Sequence, residues 1–158
     1  MVSREVLKLV QDASDNMDAQ PRGTRTMAPF FDYSKAYDKV WRDGLLFKML
    51  QMGIPFRFVR YTRHFLSSRW TTVSINNVNS KPFMLRNGLP QGSSISPLLF
   101  LIFINDIDVE LDLETTASLF ADDTSAWRAD GKVRGSQRAL MQAEVDKIID
   151  WAENGRWR

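Results

Sequence analysis

Two consecutive carboxylates, Asp122 and Asp123, stand between short strand-like runs in Ser118-Leu119-Phe120-Ala121-Asp122-Asp123-Thr124-Ser125-Ala126-Trp127, with no basic residue within three positions. Like charges that close repel unless a cation joins them. A hard divalent ion such as Mg²⁺ takes a few carboxylates and completes its shell with water or phosphate oxygens. Consecutive side chains of a regular strand point to opposite faces, so both could not reach one ion. A hairpin turn relaxes that restriction, and apolar residues on both sides suit a hairpin. On its own, an Asp-Asp pair reads as an ordinary solvated turn. It gains meaning only from partners elsewhere.

Two such partners lie upstream. In Met27-Ala28-Pro29-Phe30-Phe31-Asp32-Tyr33-Ser34-Lys35-Ala36-Tyr37-Asp38-Lys39-Val40-Trp41 an apolar run leads into Asp32, and an aromatic follows five positions later. In Asn87-Gly88-Leu89-Pro90-Gln91-Gly92-Ser93-Ser94 a glycine-containing loop runs into the very apolar residues 95–104. In order and approximate spacing the three segments resemble the palm of a reverse transcriptase. The wording Phe-Asp-Tyr-Ser-Lys-Ala-Tyr-Asp-Lys-Val-Trp, Gly-Leu-Pro-Gln-Gly-Ser-Ser-Ile-Ser-Pro-Leu-Leu-Phe and Phe-Ala-Asp-Asp-Thr is most similar to the enzymes of non-LTR retrotransposons. The likeness runs over residues 29–157. Each motif alone is weak; the three in this order are specific.

Composition narrows the alternatives. A chain of 158 residues suits one domain with a real core, and its apolar and charged fractions are those of a folded soluble protein. Cysteine is absent, which excludes disulfides and thiolate zinc sites, and His64 is the single histidine, which leaves little material for Ser-His-Asp catalysis or histidine metal sites. Residues 95–104 are too short and interrupted to span a bilayer, and no signal peptide opens the chain. No membrane partner is expected. The formal charge of +2 neither demands nor forbids a nucleic-acid partner.

Periodicity supplies an outline. Val6, Leu7, Val10 and Ala13 recur at helical spacing, predicting an amphipathic helix over residues 4–15. A loop with Arg22 and Arg25 follows, then a buried strand over residues 27–31 ending at Asp32. Asp43 is expected to cap a helix through Met52, stopped by Gly53 and Pro55, and a second helix spans residues 55–66. Residues 70–75 and 81–85 read as strands around Asn76-Asn77-Val78-Asn79-Ser80. A helix is expected from Ser96-Pro97 to about Leu111, apolar on every side of its first half and so buried over most of its circumference. After the Asp122-Asp123 hairpin and the loop 131–135, Met141, Val145, Ile148, Ile149 and Ala152 form one stripe on a helix over residues 136–154, with Gly155 as its stop. This order suggests an α+β chain, an antiparallel sheet with helices packed on one face. The resemblance implies the same architecture as a polymerase palm over residues 27–158, with residues 1–26 a remnant of the fingers and no thumb.

The resemblance also implies roles. The reaction is RNA-directed DNA synthesis, in which a primer 3′-hydroxyl attacks the α-phosphate of a dNTP; two Mg²⁺ ions suit it, with Mn²⁺ a substitute. Asp32 and Asp122 would bridge the ions, Asp123 would be an outer or alternate ligand, and the carbonyl of Tyr33 would complete one shell. Tyr37 would pack against the incoming sugar and exclude a ribose 2′-hydroxyl; the plain alternative is a core aromatic. Gln91 and Gly92 would lie beside the nucleotide and template base, with Ser93 and Ser94 plain loop. Asp38 reads as a structural hydrogen-bonding residue and Lys39 as solvent-facing.

Residues 55–70 carry Arg57, Arg60, Arg63 and Arg69 and no acid. On a helix Phe58, Thr62, Phe65 and Leu66 would share one face and Arg57, Arg60 and His64 the other, a basic face able to track a phosphate backbone or simply to be solvated. Asp106, Asp108, Glu110, Asp112 and Glu114 lack the glycine of a calcium loop and read as solvated surface. Trp41 and Trp127 are expected beside the two aspartate motifs and Trp151 at the core's flank.

The family usually carries fuller fingers before the first aspartate motif, and a lysine-bearing stretch and thumb after residue 157. Little processive synthesis is therefore expected from this segment alone. The expected partners are an RNA template, a DNA primer and dNTP, inside a eukaryotic cell, in nucleus or cytoplasm. Two other readings stay open: a non-catalytic nucleic-acid binding module, and an inactive retroelement remnant. Neither needs Asp32, Asp122 and Asp123 intact.

Overall fold

The structure is a computed structural model that describes residues 4–18, 25–107, 111–112, 114–120, 123–130 and 134–153. In chain order its elements begin with α1 (Arg4–Asp18), β1 (Arg25–Met27), β2 (Phe30–Asp32), α2 (Ala36–Lys39), α3 (Arg42–Gln51) and α4 (Phe56–Leu66). Four two-residue strands follow: β3 (Trp70–Thr71), β4 (Ser74–Ile75), β5 (Val78–Asn79) and β6 (Phe83–Met84). The chain continues through α5 (Ser96–Ile104), β7 (Thr115–Phe120), β8 (Asp123–Asp130) and α6 (Arg134–Trp151). Helices and antiparallel strands thus mix in one α+β chain. They gather into two compact units, one of Met1–Ser34 with Asp106–Ala152, the other of Lys35–Asn105 with Glu153–Arg158.

In the first unit β8 is the central strand. β7 pairs along one edge, from Thr115 opposite Arg128 to Phe120 opposite Asp123. β1 and β2 pair antiparallel with successive stretches of β8, Met27 opposite Arg128 and Phe30 opposite Ser125. The single strand expected at residues 27–31 is therefore two. Pro29 lies at the break, because it has no N–H to give the ladder; its carbonyl still accepts from Ala126 N–H at 3.2 Å. Along β8 the alternation of a pleated strand holds: Thr124 and Ala126 are buried on one face, and Trp127 is buried on the other.

α1 runs to Asp18, past the expected end, and its apolar stripe is not what buries it. Val6, Leu7 and Val10 are all exposed. The helix is tied instead by polar contacts: Trp127 Nε1 donates to Asp12 Oδ2 at 2.8 Å, Asn16 Nδ2 donates to Thr26 Oγ1 at 3.3 Å, and Lys8 Nζ lies 5.9 Å from the Trp127 ring centre. On α6 the buried stripe is Met141, Glu144, Ile148 and Trp151, while Ile149 is exposed. Glu144 takes the place expected for an apolar residue because both its oxygens are satisfied: Lys147 Nζ donates at 3.0 Å and Asp112 N–H at 3.1 Å. The acidic stretch is likewise not all solvated surface, since Asp106 Oδ1 accepts from Trp151 Nε1 at 3.1 Å and Asp112 pairs with Lys147 and Arg128. Asp108 and Glu110, like Arg22, Gly131 and Gly155, lie outside the described residues.

In the second unit α3 packs against α4 and α5. Leu45 and Met49 of α3, Val59 and Leu66 of α4, and Phe100 and Phe103 of α5 are buried. Burying six such side chains removes on the order of 10 kcal/mol of apolar exposure before conformational entropy is subtracted. α3 starts one residue before the expected cap. Trp41 is its N-cap, and Asp43 lies inside the first turn, where a negative charge suits the helix dipole. The face of α4 that is buried is Val59, Thr62 and Leu66, at i, i+3 and i+7, whereas Phe58 is exposed.

α5 ends at Ile104, short of residue 111, and is buried along Leu99, Phe100, Phe103 and Ile104 while Leu98 and Leu101 are exposed. Lys48 Nζ donates to the Phe103 carbonyl at 2.5 Å, satisfying one of the carbonyls that a helix C-terminus leaves open. The expected long hairpin is present in two pieces, β3 with β6 and β4 with β5. Its turn is the pair Asn76-Asn77, both at positive φ (48° and 63°), the geometry of a two-residue hairpin turn. Between the pieces Ser80 Oγ accepts from Val73 N–H at 3.0 Å, and Pro82 has no N–H to continue the ladder.

Candidate functional site

Of the residues singled out above, Asp32, Tyr33 and Asp123 fall in the first unit, and Tyr37, Gln91, Gly92, Arg57 and Arg60 in the second. Asp122 lies outside the described residues.

Asp32 is the last residue of β2 and Asp123 the first of β8, and the antiparallel register sets them directly opposite each other. Directly opposed side chains have Cβ atoms roughly 5 Å apart, close enough for like charges to destabilise the pairing. Both are exposed, and among the described residues neither has a salt bridge or hydrogen-bonded side-chain partner. The register is fixed by the preceding pairs, Phe30 with Ser125 and Phe31 with Thr124, because a slip by one residue would turn buried Thr124 outward. Burial raises the Tyr33 phenol above its ordinary pKa, an effect that the nearby Thr124 hydroxyl partly offsets. Among the described residues no group of three or more carboxylates or histidines is placed to hold a metal. Two hard oxygen donors facing one another, with no cationic side chain paired to them among the described residues, are the kind of donor a hard divalent ion takes.

The second constellation joins the chain around α2 to the glycine-containing loop. Gly88 N–H donates to the Val40 carbonyl at 2.8 Å and Leu89 N–H to the Tyr37 carbonyl at 2.7 Å. Gln91 Nε2 donates to Asp38 Oδ1 at 3.0 Å, so the hydrogen-bonding role expected of Asp38 is realised on the loop. Tyr37 stacks on Phe100, ring centres 4.8 Å apart and planes at 15°. Gly92 has φ of +82° with open space where a side chain would stand, so there the glycine serves backbone conformation. α2 opens on Lys35 at φ 58°, ψ 42°, a left-handed conformation that costs a lysine about 1–2 kcal/mol.

Arg42 is the residue that sequence reasoning missed. Its guanidinium donates to four main-chain carbonyls, those of Gly88 (2.8 Å), Leu66 (2.7 Å), Leu85 (2.7 Å) and Asn87 (2.9 Å). Burial first, and the charge of Arg69 second, lower its pKa from the ordinary arginine value. An open cavity of about 490 Å³ beside it is also lined by Arg63 and Arg86. The available signal was charge distribution: from Gly44 to Asn105 the chain has seven Lys or Arg and no carboxylate. Arg57 and Arg60 are exposed on α4, Arg57 with its guanidinium 4.9 Å from the Phe58 ring centre. Trp127 and Trp151 are buried as expected beside the second aspartate motif and at the core, whereas Trp41 is 40% exposed.

Residues 4–155 match the family described as reverse transcriptase (RNA-dependent DNA polymerase). The chain belongs to that family. Within it the chain is most like the enzymes of non-LTR retrotransposons. It is 28% identical over 144 residues to the RNA-directed DNA polymerase from mobile element jockey of Drosophila melanogaster, covering 87% of this chain and 16% of that protein. It is 36% identical over 80 residues to the probable RNA-directed DNA polymerase from transposon BS of the same fly, covering 51% of this chain and 9% of that protein. The jockey polymerase of Drosophila funebris is 28% identical over 129 residues, 78% of this chain and 14% of the relative. The chain thus spans no more than 16% of the length of these relatives. No helix of the described residues is long and apolar enough to cross a membrane.

Proposed function

We propose that this chain is the palm segment of an RNA-directed DNA polymerase of a non-LTR retroelement, with residues 27–158 as palm and residues 1–26 belonging to the fingers. It adds a deoxynucleotide from dNTP to the 3′-hydroxyl of a DNA primer on an RNA template, inside a eukaryotic cell. The observation that supports this reading is the Asp32–Asp123 register, which sets face to face two carboxylates without an ion-pair partner among the described residues.

Asp32 and Asp122, with Asp123 and the Tyr33 carbonyl, would hold two divalent ions, Mg²⁺ by the hardness of the donors. When bound, the pair supplies activation of the attacking hydroxyl and charge neutralisation on the leaving pyrophosphate. The chain's own residues do the rest. The β2–β8 ladder fixes the carboxylates on rigid backbone, which limits the reorganisation needed at reaction. Tyr37, held by its stack on Phe100, bounds the sugar and excludes a 2′-hydroxyl. Gln91 and Gly92 contact the nucleotide and template base. Arg57 and Arg60 contact phosphates of the template-primer, in a stretch whose positive charge is not offset by any acid.

Primer extension on an RNA template with Mg²⁺ or Mn²⁺ tests the reading, with flanking segments of the jockey relative supplied where the chain alone is silent. Asp122→Asn is run in parallel. Extension that survives that substitution ends the assignment.

A further inference from the structure

The loop that carries Gln91 cannot present either end of its side-chain amide at will. Both partners of the Asp38–Gln91 hydrogen bond sit on backbone that is itself tied together. Gly88 and Leu89 donate to the carbonyls of Val40 and Tyr37, on either side of Asp38. Arg42 holds the carbonyls of Leu85, Asn87 and Gly88. Beyond Gln91's neighbour Pro90, whose ring fixes φ, Ser96 Oγ donates to the Pro90 carbonyl at 2.7 Å. A carboxylate accepts hydrogen bonds and cannot donate, so only the NH₂ end of the amide can face Asp38. A flipped amide would set oxygen against oxygen. Among the described residues Oε1 has no partner, on a residue that is exposed.

We propose that Asp38 is the positioning residue for Gln91: it fixes the amide so that Oε1 is offered to the incoming nucleotide, and the loop recognises a hydrogen-bond donor on that nucleotide, a hydroxyl or an amine. The inference rests on the reading above that Gln91 contacts the nucleotide. Asp38 itself touches no substrate. Its effect passes through Gln91 alone, and the two substitutions are therefore non-additive.

Two measurements test this. The first needs no activity: in the isolated chain, the Gln91 side-chain ¹⁵N–¹H amide signals are compared between the wild type and Asp38→Ala. The expected result is a hydrogen-bonded proton in the wild type that shifts to free-amide values in the variant; signals unmoved by the substitution overturn the proposal. The second uses the extension-competent form described above. Asp38→Ala is expected to raise KM for dNTP about tenfold with kcat changed by less than about twofold, the size of one oriented hydrogen bond. Asp38→Asn, which keeps an acceptor oxygen, is expected to recover most of that loss. In a Gln91→Ala background Asp38→Ala is expected to add nothing. If Gln91→Ala raises KM and Asp38→Ala does not, or the two effects add, the positioning role is overturned while the nucleotide-contact reading stands. If Gln91→Ala itself leaves KM unchanged, both are overturned.

Discussion

Gly88 lies against the backbone of Asp38. A Cβ built at Gly88 would stand 2.6 Å from the Asp38 carbonyl oxygen and 2.9 Å from its Cα, and the glycine is at φ +83°. Steric room and backbone conformation therefore both require glycine, and the neighbour that blocks a side chain is main chain that cannot swing aside. Gly88→Ala is expected to destabilise the chain by about 2 kcal/mol or more. Urea unfolding checks it, with Gly92→Ala, whose surroundings are open, as the milder comparison.

Opposed charges of one sign at Asp32 and Asp123 make a second expectation. Asp32→Asn is predicted to stabilise the metal-free protein slightly, by about 0.2–1 kcal/mol, since it relieves a directly opposed like pair. The same change should lower primer extension on the order of a hundred- to a thousandfold. Thermal melts with and without Mg²⁺ separate the two effects: ion-induced stabilisation should be present in the wild type and lost in the variant.

Arg42 is a stability determinant rather than a surface charge. Arg42→Ala leaves four carbonyls without their donor, and a loss of about 2–3 kcal/mol is expected from unfolding curves. Arg42→Lys should recover little of it, because a single ammonium cannot reproduce the forked geometry.

The Lys147 network predicts how stability depends on pH. The Lys147 ammonium holds Asp112 below the usual carboxylate range, and the hydrogen bonds to Glu144 and then Asp112 hold Lys147 above the usual lysine value. A depressed carboxylate contributes stability that is present above its unfolded value and is lost as pH falls through its lower folded value. A raised lysine contributes stability that is present below its unfolded value and is lost as pH rises through its higher folded value. Urea midpoints should thus be flat in between and fall at both ends. Lys147→Met is expected to shrink both losses.

Binding to template-primer should weaken with salt. If Arg57 and Arg60 each meet one phosphate, replacing either by Ala lowers the slope of log K against log[salt] by about 1, uniformly across sequences. A slope unchanged in both variants would remove α4 from the nucleic-acid surface.

Where sequence and structure part, the reasons are physical. Helices starting near residues 42, 56 and 96 and the β7–β8 hairpin were legible because periodicity, Pro and Gly mark them locally, although the third helix ends at Ile104 and not near Leu111. The break at Pro29 was not foreseen, since the strand pattern ran through it, yet a missing N–H interrupts a ladder whatever its neighbours. The exposure of Val6, Leu7 and Val10 was illegible because a helical stripe says which residues share a face and not which face docks. Glu144 was passed over as polar, though its partners Lys147 and Asp112 make its burial tolerable. The aspartate and Gln91 motifs were visible as words. Arg42, bonded to carbonyls as many as 46 residues away, has no hydrogen-bonded side-chain partner among the described residues that could have betrayed it.

Among the described residues the acceptors around that guanidinium are all main-chain oxygens, which any amino acid supplies. Side chains at positions 85 and 87, both exposed, can therefore drift without disturbing the clamp, and the whole burden of its upkeep falls on position 42. Homologous chains should vary freely at 85 and 87 and keep arginine at 42.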